Sequence, residues 1–340
     1  MKVIFMGTPD FAVGTLEALL EAGHEVTLAV TQPDKPKGRG KSMQFPPVKE
    51  AALAHGIEVY QPRKVREPEC VEYLKGYQAD IIVVVAFGQI LPKEILAMPR
   101  YGCINVHASL LPKYRGAAPI QWAVINGEAV SGVTTMRMDE GLDTGDMILK
   151  EEVELLPQET GGSLFERLSE IGAKLCVRTL AAIQEGTATY TPQDHGAATH
   201  TKIIKKQLGE IDWNKSAEEL ERLVRGLNPW PSAYTYLNKK TLKVWKASVV
   251  KKGHTDSTET EKTFQEPYEE SADSLTSSKD GMANGAGTVA AVSKDGMAIQ
   301  TGQGLLLLEE VQLEGKKRMM TDAFLRGFPV EVGTRLGKSS

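Results

Sequence analysis

Short apolar runs alternate with amphipathic stretches through the first half of the chain, and that alternation sets the expected fold. Residues 3–6, 26–31, 81–86 and 104–106 are nearly continuous apolar runs of strand length. Between them, 11–22 and 48–55 carry apolar residues at helical spacing and stop at Gly23 and Gly56. Apolar strands separated by helices predict a mostly parallel sheet covered on both faces, a Rossmann-like α/β domain. Residues 133–138 and 147–153 predict a closing pair of strands. Leu164, Leu168, Ile171 and Leu175 then recur at helical spacing and predict a long helix.

The pattern changes after residue 189. Residues 190–208 have no period and read as a linker. Ser216 followed by Glu219 forms a capping box before Leu220, Leu223, Val224 and Leu227, and Asn228-Pro-Trp-Pro231 stops that helix. Short β-type segments follow at 233–237, 242–250, 288–292, 297–301 and 305–311. Turns such as Lys294-Asp-Gly296 and Gly302-Gln-Gly304 separate them. The expected organisation is an α/β domain at 1–189, the linker, and a small antiparallel barrel of OB type at 209–340. Residues 253–287, rich in Thr, Ser, Glu, Asp and Gly, read as an acidic low-complexity insert within that barrel.

Composition narrows the class without choosing a function. A chain of 340 residues has room for two cores. The opening MKVIFMGTPDF reads as a first strand rather than a signal peptide, and no apolar run reaches the roughly 18 residues of a membrane span. Cys70, Cys103 and Cys176 are scattered, with no CxxC, so neither a disulfide framework nor a thiolate metal site is expected. A cytoplasmic, reducing location is the expectation, and because nothing in the chain suggests an extended association surface, so is a monomer. The net charge of -4 hides an asymmetry: residues 1–199 sum to -6, 200–252 to +7, 253–287 to -6 and 288–340 to +1. Apart from its insert, the second half is therefore basic and suited to a polyanion.

The candidate chemistry is concentrated in two segments. In Gly102-Cys-Ile-Asn-Val-His107, Asn105 and His107 are two apart, so a strand puts both on one face. An Asn amide can donate to a developing oxyanion, and His exchanges protons near neutral pH. Asp143 lies in Asp139-Glu-Gly-Leu-Asp-Thr-Gly-Asp146, a turn from which a carboxylate can orient an imidazole or take a proton. On pattern alone, Asn105 and His107 also fit a turn former beside a surface histidine, and Asp143 fits an Asx turn. Gly7-Thr-Pro-Asp10 lacks the GxGxxG glycines, which argues against a dinucleotide site; Asp10 reads as a helix N-cap. The segment 34–42 carries Lys35, Lys37, Arg39 and Lys41 among Pro and Gly, a basic loop suited to phosphate contact. Lys202, Lys205, Lys206, Lys239, Lys240, Lys243 and Lys246 form a second basic set. Trp213, Trp230 and Trp245 lie among them and are expected in the core.

Taken together, Asn105-Val-His107-Ala-Ser-Leu-Leu-Pro112 and Gly141-Leu-Asp143-Thr-Gly145 resemble the signature of the folate-dependent formyltransferases. Further segments resemble the members of that family that act on methionyl-tRNA: Phe5-Met-Gly-Thr-Pro-Asp-Phe11, Val85-Ala-Phe-Gly-Gln-Ile-Leu-Pro92, Tyr114-Arg-Gly-Ala-Ala-Pro-Ile120, Gly209-Glu-Ile-Asp-Trp213 and Gly315-Lys-Lys-Arg318. The resemblance covers nearly the whole chain, with the insert as its main departure. It implies formyl transfer from 10-formyltetrahydrofolate to initiator methionyl-tRNA, with Asn105, His107 and Asp143 as the catalytic trio and no metal. It implies a folate site lined by Phe87, Gly88, Ile90, Leu91, Ser109, Leu110, Leu111, Pro112 and Asp139. It implies tRNA contacts from Lys37, Arg39, Lys41, Lys205, Lys206 and Lys246. A formyltransferase for small molecules would share the trio but would not need the basic loop or the basic second half. A dehydrogenase would need the missing glycines. A non-catalytic RNA-binding protein would have no use for the trio.

Charge reversal at Arg39 is expected to weaken use of tRNA far more than binding of folate. Steady-state kinetics with each substrate varied in turn checks this, and equal losses for both would remove the role assigned to that loop.

Overall fold

The computed structural model of the chain describes residues 1–37, 42–250 and 285–338. Arg39, Lys41 and nearly all of the acidic insert lie outside the described residues. The chain divides into two compact units, Met1–Ala123 with Glu128–Ile203, and Val124–Gly127 with Ile204–Ser340. The stretch expected as a linker is split between them, its part up to Ile203 belonging to the first unit.

The first unit is built on seven strands: β1 (Lys2–Gly7), β2 (Glu25–Val30), β3 (Val59–Tyr60), β4 (Ile81–Val85), β5 (Cys103–His107), β6 (Val130–Arg137) and β7 (Met147–Glu154). Their order across the sheet is β7-β6-β5-β4-β1-β2-β3. β1 to β5 run parallel, whereas β6 lies antiparallel to β5 and β7 antiparallel to β6. The mostly parallel sheet expected from the apolar runs is therefore present. β4 (IIVVV) and β5 (CINVH) are buried at every position, as central strands of a covered sheet must be. β3 has only two residues, too few to leave a period in the sequence.

The helices in chain order are α1 (Asp10–Glu21), α2 (Pro47–Ala54), α3 (Pro68–Lys75), α4 (Lys93–Leu96), α5 (Pro119–Asn126) and α6 (Gly161–Glu185). Asp10 is not the N-cap expected: Pro9 holds that position, and Asp10 opens the helix as an acidic first-turn residue that complements the dipole. α6 is capped at its start by a reciprocal Thr160–Ser163 box and at its end by Gly186, at φ 73°. Leu164, Leu168 and Leu175 are buried as their spacing requires, whereas Ile171 is half-buried. At Gly172 an added Cβ would lie 3.1 Å from Val106 Cγ1, so only a small residue lets α6 sit this close to β5. The strand that carries the candidate site is thus seated directly under a long helix.

In the second unit, α7 (Ala217–Gly226) has the capping box read from the sequence: Glu219 N donates to Ser216 Oγ at 3.2 Å, and Ser216 N donates to Glu219 Oε2 at 3.1 Å. Its sheet contains β8 (Ala233–Leu237), β9 (Lys240–Val249), β10 (Val289–Ser293), β11 (Gly296–Gln300), β12 (Leu305–Leu313) and β13 (Met319–Met320). The order is β8-β9-β12-β11-β10, with β13 on β12 and every pair antiparallel. Among the described residues no pairing joins β10 to β8, and the antiparallel sheet is compatible with the OB-type barrel expected. A last helix, α8, spans Thr321–Gly327. Of the three tryptophans expected in the core, only Trp213 is buried, its Nε1 donating to Thr235 Oγ1 at 3.1 Å. Trp230 is exposed, and Trp245 is half-buried with Arg318 4.7 Å and Lys243 5.4 Å from its ring centre, where cation–π attraction replaces burial.

One glycine couples the sheet to the candidate site. A Cβ at Gly132 on β6 would collide with the Glu151 carbonyl of β7 and come within 2.6 Å of Leu110 Cδ2, just beyond β5. Gly132→Ala is expected to destabilise the first unit by about 1–3 kcal/mol. Urea denaturation checks this, and an unchanged midpoint would mean that the strand pair has room to spare.

Candidate active site

The site begins with the alternation of side chains along β5. Asn105 and His107 project to one face, and both are nearly closed off from solvent. The turn between β6 and β7 brings Asp143 to them. Asn105 Nδ2 donates to Asp143 Oδ1 at 3.3 Å, and His107 Nδ1 lies 3.7 Å from Asp143 Oδ2. The three residues expected as a trio are therefore brought together from two separate segments.

Asp143 is held at its own backbone as well as at its carboxylate. It adopts φ 52°, in the left-handed region that costs a non-glycine residue roughly 1 kcal/mol. Asp139 closes the turn, its Oδ1 accepting from Gly141 N at 3.0 Å and from Thr144 Oγ1 at 2.6 Å. Any Cβ at Gly145 would strike the Arg137 carbonyl, so the turn can double back only over a glycine. The Gly116 amide donates to Asp143 Oδ2 at 2.8 Å, and Gln193 Nε2 donates to the carbonyls of Asp143 at 2.9 Å and Gly145 at 2.7 Å.

His107 is oriented by a group the sequence did not suggest. Its Nε2 donates to the Tyr114 carbonyl at 2.9 Å, since a carbonyl can only accept. Nε2 therefore carries the proton in the neutral ring, and Nδ1 faces the Asp143 carboxylate. The imidazole is held by Tyr114 rather than by Asp143, and the gap to the carboxylate stays open for proton exchange. Tyr114 itself stands at φ 61°, and its amide donates to Thr199 Oγ1 at 2.8 Å. The neighbouring Cys103 thiol is pushed up to about 12 by burial, partly opposed by Arg137, so it stays a thiol and offers no competing nucleophile.

The residues expected around a folate divide into buried supports and exposed surfaces. Phe87 and Leu91 are buried in the core, and the Phe87 carbonyl accepts from Thr8 Oγ1 at 3.2 Å and Gln32 Nε2 at 3.1 Å. Gly88 has φ 82°. Ser109 Oγ donates to the Lys113 carbonyl at 2.7 Å, and Thr134 Oγ1 donates to the Ser109 carbonyl at 2.7 Å. Leu111 N donates to Thr134 Oγ1 at 3.1 Å, and Lys150 Nζ to the Leu111 carbonyl at 2.6 Å. That lysine is shifted below its ordinary pKa by desolvation of its amine. Leu110 and Pro112 are half-buried, and Asp139 is exposed. Ile90 and Leu142 stand out as large apolar side chains left 78% and 58% exposed on the loops after β4 and β6.

The basic residues are less uniform. Lys37 ends a short strand paired with Ser42–Gln44, while Arg39 and Lys41 fall outside the described residues. At the base of that hairpin, Asp34 accepts from Lys49 Nζ at 2.7 Å and from Gln61 Nε2 at 2.8 Å. In the second unit Lys205 and Lys206 are exposed, whereas Lys246 Nζ is paired with Glu309 Oε2 at 2.6 Å. Among the described residues no group of three or more His, Cys, Asp or Glu is arranged to hold a metal, and no helix is long and apolar enough to cross a membrane.

Sequence reasoning missed Tyr114, Gly116, Thr134 and Gln193 as parts of the site. The first two sit in the segment Tyr114-Arg-Gly116 that already carried the family resemblance. Thr134 and Gln193 left no signal in the pattern.

On this mostly parallel sheet an amide, an imidazole and a carboxylate converge at one strand face, a set of groups suited to group transfer at a carbonyl carbon. The family model described as "Formyl transferase" matches residues 1–180, and "Formyl transferase, C-terminal domain" matches 203–329. The chain belongs to the formyltransferase family. It is 64% identical over 98% of its length to a methionyl-tRNA formyltransferase of Agathobacter rectalis, covering 99% of that protein. It is 49% identical to one of Clostridioides difficile, over 99% of this chain and 100% of that one. Among solved structures, the sugar 3N-formyltransferase WlaRD shares the fold with TM-score 0.61 at 17% identity, over 93% of this chain and 99% of that one. HypX of Aquifex aeolicus with tetrahydrofolic acid matches with TM-score 0.60 at 17% identity; 98% of this chain is covered, but only 48% of HypX.

Hydrogen bonds from Lys49, and then Gln61, hold the Asp34 carboxyl below its ordinary 3.8. A carboxyl depressed in the native state stabilises folding above the unfolded value, and that contribution is lost as the pH falls through the native one. Asp34→Asn is therefore expected to lower the thermal midpoint at pH 7, with the gap to the parent closing below pH 3.8. A gap independent of pH, followed by calorimetry, would contradict this.

Proposed function

We propose that this chain transfers the formyl group of 10-formyltetrahydrofolate to the free amino group of initiator methionyl-tRNA. One observation carries the reading: the Asp143 carboxylate lies 3.3 Å from Asn105 Nδ2 and 3.7 Å from His107 Nδ1, a donor, a base and a proton store in one place. The high identity to methionyl-tRNA formyltransferases over the full chain supports the choice of acceptor.

When bound, the folate supplies a formyl group on a nitrogen that can leave. The residues present suit it: Ile90 and Leu142 offer apolar surface for a flat ring, and the trio lies on one face of β5. Asn105 Nδ2 has two hydrogens and commits one to a long bond with Asp143, leaving the other for the formyl oxygen as charge builds on it. Losing one such donor costs about 3 kcal/mol of transition-state stabilisation, roughly 100-fold in rate. Asp143 Oδ2 accepts the Gly116 amide and keeps lone pairs to take a proton from the attacking amine. His107 has only Nδ1 open to exchange, because its Nε2–H is held by Tyr114. Protons therefore pass between Asp143 and Nδ1, directly or through one water, and reach the leaving nitrogen from that side. The rate comes from positioning and electrostatics on an already activated acyl group.

The second domain, at 209–340, and the end of the linker would hold the tRNA through phosphate contacts at Lys205, Lys206 and Lys246, with Lys37, Arg39 and Lys41 from the first. Because Lys246 is already paired with Glu309, its contribution requires exchange of one anion for another. The reading places the protein in the reducing cytoplasm, with which three buried free cysteines agree, and takes it to act as a monomer.

The test is formyl transfer from 10-formyltetrahydrofolate to initiator methionyl-tRNA, elongator methionyl-tRNA and small amines. Fast transfer to the initiator alone is expected, and Asn105→Ala should lower kcat by about 100-fold with tRNA binding retained. Transfer to a small amine without transfer to tRNA would keep the chemistry and overturn the acceptor.

A further inference from the structure

Gln193 lies in the stretch that reads as a linker, yet it is 5% exposed and uses both ends of its amide. Its Nε2 bridges the carbonyls of Asp143 at 2.9 Å and Gly145 at 2.7 Å, two residues on either side of the turn's tightest point. Its Oε1 accepts from Arg115 Nε at 3.0 Å and Arg115 Nη2 at 2.7 Å, a forked contact. Arg115 is itself 3% exposed. Its remaining described side-chain contact is with His195 Nδ1 at 3.2 Å, again a neutral acceptor. A guanidinium buried without a described carboxylate is costly to keep, and it is anchored at its backbone too: Arg115 N donates to the Thr199 carbonyl at 2.8 Å and Thr201 Oγ1 to the Arg115 carbonyl at 3.0 Å.

We propose that Arg115 and Gln193 are a positioning pair that clamps the backbone of the Asp143 turn and so fixes the Asp143 carboxylate over Asn105 and His107. Arg115 orients the Gln193 amide by occupying its oxygen, which turns its two hydrogens toward the turn. The next residue, Gly116, holds the other end of the same aspartate, its amide donating to Oδ2 at 2.8 Å. One dipeptide, Arg115-Gly116, therefore restrains both the carbonyl and the carboxylate of Asp143. The left-handed backbone at Asp143 supplies the reason a clamp is needed: without it the residue relaxes toward an ordinary conformation, and its carboxylate swings away from His107.

The proposal rests on the catalytic role of the trio given above, and the experiment separates the two. Gln193→Met keeps the length and burial of the side chain but removes its donors and acceptor. It is to be compared with Asp143→Asn and with the double variant, in steady-state formyl transfer from 10-formyltetrahydrofolate to initiator methionyl-tRNA. Expected is a 10- to 100-fold loss of kcat for Gln193→Met, a change below threefold in either KM, and little further loss when it is added to Asp143→Asn. Arg115→Lys, which keeps the charge but loses the fork, should fall between Gln193→Met and the parent. If Asp143→Asn is impaired while Gln193→Met equals the parent, the clamp is overturned and the trio stands. If the two losses multiply in the double variant, Gln193 acts independently of Asp143 and the clamp is again overturned. If Asp143→Asn keeps full activity, the catalytic reading fails, and the clamp's functional role fails with it.

Discussion

A single carboxylate in a backbone conformation that aspartate seldom adopts is the constraint around which this structure is arranged. Asp143 has to reach the face of β5 from the turn that joins β6 to β7, and an ordinary turn would leave it outside. The left-handed φ of 52° redirects it, and the cost is met by hydrogen bonds on three sides. Gly116 holds the carboxylate, Gln193 the carbonyl, and Asp139 the preceding loop. Gly145 gives the chain room to double back under the Arg137 carbonyl. Taken singly these bonds are ordinary, each contributing about 1 kcal/mol. Together they confine the carboxylate to a position that Asn105 and His107 can share.

The opposite wall is fixed by different means. β5 is a central strand, buried throughout and pressed against α6 through the opening at Gly172. Its side chains cannot shift without moving the sheet. Beyond it, Leu111 N and the Ser109 carbonyl both bond Thr134 Oγ1, so β6 steadies the segment that leaves the strand. The site is therefore a rigid strand facing a tightly pinned turn. Such an arrangement suits chemistry that depends on placement, because an acyl transfer with an activated donor needs its groups preset more than it needs a strong base.

The parts of this architecture governed by local periodicity were legible in the sequence. The parallel sheet, α6 and the capping box at Ser216 each announce themselves within a few residues, since burial and capping leave a repeating or paired signature. Asn105 and His107 were legible as neighbours because a strand alternates its side chains. Their meeting with Asp143 was suggested by the paired motifs and is visible as geometry only in the fold. What stayed hidden is held by contacts between distant segments. Tyr114 orients His107 through its carbonyl, which no residue type advertises. Gln193 works from an irregular stretch where period carries no information. Asp10 looked like a cap because Asp commonly is one, yet Pro9 precedes it and takes that place. Trp245 was expected to be buried as most tryptophans are, but it is half-buried, with Arg318 and Lys243 beside its ring.

In the proposed mechanism the direction in which protons move depends on which ring nitrogen of His107 is bound. The Tyr114 carbonyl at 2.9 Å requires that Nε2 carry the hydrogen and that Nδ1 face Asp143. Nitrogen NMR of the histidine side chains, with His107 assigned by its loss in His107→Asn, measures this directly. The account predicts that the neutral ring of His107 is the Nε2–H form, with an unprotonated Nδ1. A neutral ring protonated at Nδ1 would contradict it, because the carboxylate would then hold the imidazole and the route for the proton would be reversed.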